Sequence, residues 1–102
     1  VQYYVLGDED TVLGFGMVGV AGRAVDGAEE AAAAFDEACA DRELGILIVT
    51  ERVAELIRPR VDRLVYSDDF PLIVEIPDRQ GRLPGRPGIR DTVNAAIGIK
   101  LG

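Results

Sequence analysis

Histidine is absent from this chain, and cysteine occurs once, at Cys39. Without histidine there is no Ser-His triad, no imidazole acid–base pair and none of the usual zinc sites. One cysteine cannot close an internal disulfide. Cys39 falls in an Ala-rich stretch that reads as a helix, where a small buried thiol is the expectation. No run approaches the length of apolar sequence a membrane span needs, and no basic leader precedes an apolar stretch. Direct membrane insertion is therefore not expected, and the reading is a soluble, cytoplasmic protein. Basic residues are also scarce: 11 Lys and Arg stand against 18 Asp and Glu, a formal charge of −7 at pH 7. Nucleic-acid binding needs a basic surface that displaces counterions, so no nucleic-acid partner is expected.

What remains is a chain of 102 residues, 48% of them hydrophobic. That suits one compact domain with a real core but little room for a deep active site. The charge is uneven. Residues 1–57 hold 12 acidic side chains against three arginines, whereas from Arg79 onward five basic residues face only Asp91. A basic end on an acidic body points to an acidic partner for that end. A solvated helix with ordinary arginines is the plainer alternative.

Short apolar runs alternate with helical patterns. Tyr3 to Leu6 is a β-prone run closed by Gly7, after which Asp8 or Asp10 can cap a helix through about Val18. Arg23 to Val25 reads as a second strand, and Asp26 or Gly27 opens a helix from Ala28 to about Ala40. Leu44 to Val49 is nearly all apolar, as a central strand buried on both faces would be. Thr50 caps a helix over Arg52 to Leu64, which Pro59 bends or splits. Pro71 to Ile76 is a fourth strand, ended by Pro77. The pattern predicts an α/β fold. Four parallel strands in the order 2-1-3-4, flanked by helices, would form a flavodoxin- or Rossmann-like sheet over residues 1–77. A Gly/Pro-rich loop follows at 78–88, and a C-terminal interaction helix spans 89–102, with Ile89, Val93 and Ile97 on one stripe.

The segment Gly14-Phe15-Gly16-Met17-Val18-Gly19 matches the G-x-G-x-x-G dinucleotide pattern. Its place is wrong for that function. The first glycine should follow the strand at once, so that the helix N-terminus faces the pyrophosphate. Here the strand-to-helix turn is Gly7-Asp8-Glu9-Asp10, whose carboxylates repel phosphate. No cofactor, metal or catalytic residue is expected. Inside a helix, Gly14, Gly16 and Gly19 would instead allow close approach by another element, with Phe15 and Met17 inserting into it; packing within the domain is favoured over an external contact. A rival reading takes Asp8 and Asp10 as a Mg²⁺ site of a degenerate receiver-like signalling domain. Such a domain needs a phosphoacceptor Asp after the third strand, where this chain has Thr50-Glu51. A small flavin- or nucleotide-binding domain is a third possibility.

Three stretches carry a resemblance: YYVLGDEDTVLGFGMVGV (3–20), ILIVTE (46–51) and PLIVEIPDRQGRLPGRPGIRDTVNAAIGIKL (71–101). In their order and spacing the chain resembles the F subunits of the V-type (A/V-type) ATPases and ATP synthases along its whole length. The resemblance implies a noncatalytic rotor component on the central stalk, bound to the coiled-coil D subunit of that stalk. It also implies proximity to the subunit linking the stalk to the membrane rotor and to the catalytic ring. The complex couples ATP hydrolysis or synthesis to proton or sodium movement, so this chain would be peripheral to the membrane. Movement of the C-terminal helix is implied to modulate ATPase activity. On this reading Arg82, Arg86, Ile89, Arg90, Val93 and Ile97 face the stalk, and Gly14, Phe15, Gly16 and Met17 form a close-packing face.

Overall fold

The computed structural model describes residues 2–78. The stripe of Ile89, Val93 and Ile97, the arginines 82, 86 and 90, and the expected C-terminal helix lie outside the described residues.

The described chain runs β1 (Gln2–Gly7), α1 (Glu9–Gly16), β2 (Ala21–Ala24), α2 (Ala28–Cys39), β3 (Leu44–Thr50), α3 (Glu51–Leu56), α4 (Arg58–Val65) and β4 (Leu72–Ile76). All neighbouring strands are parallel, in the order β2-β1-β3-β4. This is the α/β sheet that the alternating pattern predicts. β3 lies between β1 and β4, with Leu6 opposite Val49 and Ile48 opposite Val74, which explains its nearly continuous apolar sequence.

Local chemistry sets the helix boundaries. Asp8 caps α1: its carboxylate accepts from the Thr11 backbone N–H at 3.2 Å and from the Thr11 hydroxyl at 2.6 Å. Thr50 caps α3 by accepting from the Val53 N–H at 3.2 Å. α2 opens at Gly27, with Glu29 and Glu30 in its first turn. The expected single helix over 52–64 is two helices, broken at Ile57 (φ −129°, ψ 35°). Pro59 is responsible. It has no N–H, and in a continuous helix its ring would strike the carbonyl of Glu55.

α1 also ends earlier than its apolar content suggests. The N–H of Val20 donates to the Phe15 carbonyl and that of Gly19 to the Gly16 carbonyl, at 3.0 and 3.1 Å, with Gly19 at φ +89°. This is a Schellman turn, and Gly19 is the left-handed residue it needs. β2 is displaced towards the N-terminus of its expected position, because Tyr4 to Gly7 pair with Ala21 to Ala24. Gly22 permits that pairing: a Cβ there would lie 2.6 Å from the Val5 carbonyl oxygen and 3.4 Å from Val12 Cγ1 on α1.

Right-handed crossovers put α1 on one face of the sheet and α2, α3 and α4 on the other. The main core forms under the three helices. Leu6, Leu47, Val49 and Ile73 from the strands meet Ala31, Ala34 and Phe35 of α2 and Val53, Ile57, Val61 and Val65 of α3 and α4. No α1 residue belongs to that cluster. Val5 and Ile48 are buried but stand outside it, paired with each other on the α1 face.

Candidate partner interface

None of the eight residues of α1 is buried. Val12 faces the sheet at Gly22, and Phe15 is half-buried. Leu13, Met17 and Val18 are exposed at 62%, 77% and 76%. Leu13 and Met17 are one helical turn apart and so adjoin on the surface. Around Gly14 and Gly16 an added Cβ would meet no atom within 4 Å. Among the described residues no other element comes that close to either glycine. Nothing there approaches the glycines, and Gly19 has a backbone role instead. Leu13 and Val18 were not singled out from sequence, although the i, i+4 spacing of Leu13 and Met17 was readable there.

A shallow groove of about 440 Å³ runs between α1 and the end of β4. Thr11, Gly14, Phe15 and Val18 form one wall, and Ile76, Pro77 and Asp78 the other. The strand pattern explains the second wall. Ile73 and Glu75 point to the three-helix face and are buried, which turns Leu72, Val74 and Ile76 to the α1 face, where they are half-buried.

Glu75 is buried with its charge compensated. Arg58 donates to it through Nη1 at 2.8 Å and Nη2 at 2.9 Å, and also reaches Asp62 at 3.1 Å and Glu55 at 3.2 Å. The Glu75 hydrogen bonds, ahead of the opposing burial, raise the Arg58 pKa above its ordinary value. The pair fixes β4 to the start of α4.

A second cleft, about 430 Å³, lies between α2 and α4 beside Cys39, Arg60 and Arg63. Arg60 there pairs with Asp36 at 3.2 Å. Cys39 is half-buried at the rim of the core and not fully enclosed, because it is the last residue of α2.

Gly14 and Gly16 lie inside α1, away from the strand-to-helix turn where a pyrophosphate would sit. Both Asp8 oxygens are engaged by Thr11, which gives the acidic turn a capping role. That hydrogen bonding lowers the Asp8 pKa. Among the described residues no three His, Cys, Asp or Glu side chains are grouped to hold a metal ion. Nor is any described helix long and apolar enough to cross a membrane.

Comparison with known proteins covers nearly the whole chain. The family model for the ATP synthase (F/14-kDa) subunit matches residues 4–97. The A-type ATP synthase F subunit of Pyrococcus furiosus is 36% identical over 108 aligned positions, covering 99% of this chain and 98% of the relative. That of Methanocaldococcus jannaschii is 32% identical, covering 95% of each. The V-type ATP synthase F subunit of Clostridium botulinum is 35% identical, covering 95% of this chain and 93% of the relative. With a family-model match over residues 4–97 and relatives at 32–36% identity over nearly all its length, the chain belongs to the family of F subunits of A/V-type ATP synthases.

Proposed function

We propose that this protein is a noncatalytic central-stalk subunit of a rotary A/V-type ATPase. It binds the coiled-coil D subunit of the central stalk and helps couple ATP hydrolysis or synthesis to ion transport. The observation that carries this reading is the end-to-end family match. The open face of α1 supports it, because a helix that exposes Leu13, Met17 and Val18 around two uncovered glycines suits contact with another helix. Gly14, Phe15, Gly16 and Met17 are the close-packing part of that face. Arg82, Arg86, Ile89, Arg90, Val93 and Ile97 form a second contact with the stalk, through which the C-terminal helix regulates ATPase activity. The subunit that joins the stalk to the membrane rotor and the catalytic-ring subunits are further partners. The protein then resides on the cytoplasmic side, peripheral to the membrane through the complex.

The test is capture of the purified coiled-coil stalk protein by the full chain and two variants. Leu13→Glu with Met17→Glu places charge on α1, and Ile89→Asp with Val93→Asp places it on the C-terminal stripe. The expected result is tight binding by the parent chain and at least about tenfold weaker binding by each variant. Absence of binding by the parent chain contradicts the stalk reading. Full binding by the α1 variant removes that helix from the interface.

A further inference from the structure

We draw no further inference here: the strongest candidate, the shallow groove between α1 and the end of β4 lined by Thr11, Gly14, Phe15, Val18, Ile76 and Pro77, adjoins the α1 face already described, and nothing in the structure shows what covers it.

Discussion

The two faces of this sheet are built from the same strands and treated in opposite ways. Under α2, α3 and α4, Leu6, Leu47, Val49 and Ile73 are each wholly buried. One buried charge on that side, Glu75, is held by a forked Arg58. On the other side α1 rests on β1 and β2 and buries none of its own residues. It carries two helical glycines with no neighbour within 4 Å, and beside them exposed Leu13, Met17 and Val18. A helix interior glycine costs about 1 kcal/mol relative to alanine. Nothing among the described residues offsets that cost at Gly14. One face is thus closed by buried packing, and the other leaves apolar side chains and helical glycines open among the described residues.

Substitutions of matched chemistry should separate the faces most widely. Leu47→Ala should destabilise the domain by about 3 kcal/mol through lost burial and a cavity, whereas Leu13→Ala should stay within about 0.5 kcal/mol. Urea unfolding of both variants checks the contrast. Similar losses at the two positions would mean that α1 is packed in solution.

The buried ion pair should give nearly as large an effect. Arg58→Met leaves Glu75 without its cation and should cost about 3 kcal/mol. Adding Glu75→Leu should recover much of that loss, because the uncompensated charge then disappears. Thermal unfolding of the single and double variants measures the recovery.

A smaller effect lies at the α1 cap. The Thr11 hydrogen bonds lower the Asp8 pKa, so ionised Asp8 stabilises the folded state. That contribution is present above the unfolded carboxylate pKa, about 3.9, and is lost as pH falls through the lowered folded value. Asp8→Asn, which loses the charge but still caps, should reduce stability by less than about 1 kcal/mol at pH 7. The difference from the parent should shrink as the pH falls below about 4. Chemical denaturation at both pH values provides the comparison.

The three-helix face was the more legible in sequence. An apolar run such as Leu44 to Val49 has few alternatives to a central strand, and the alternation of strands and helices leaves one economical sheet order. Boundaries were harder where one residue overrides a periodic pattern. Gly19 ends α1 through a positive φ, which no hydrophobic spacing reveals. Pro59 gave warning of the break but left open whether the helix would bend or split, and the split falls at Ile57. The α1 face was half legible. Three glycines in a helix announced close approach, but whether the approach came from within could be judged only from the space around them. Arg52–Asp78 and Arg58–Glu75 join residues 26 and 17 apart in sequence, and composition gives no hint of such pairings.

The most direct test of the account is a single substitution read twice. Gly14→Ala introduces a methyl group into open space at a helical position, so it should raise the stability of the isolated chain by about 0.5–1 kcal/mol. If the same face receives a partner helix at close range, that methyl group should also weaken binding to the coiled-coil stalk protein. Gain in stability with loss of binding is the predicted result. A destabilised chain would show that α1 is packed internally after all, and a stabilised chain that binds as tightly as the parent would show that the partner docks elsewhere.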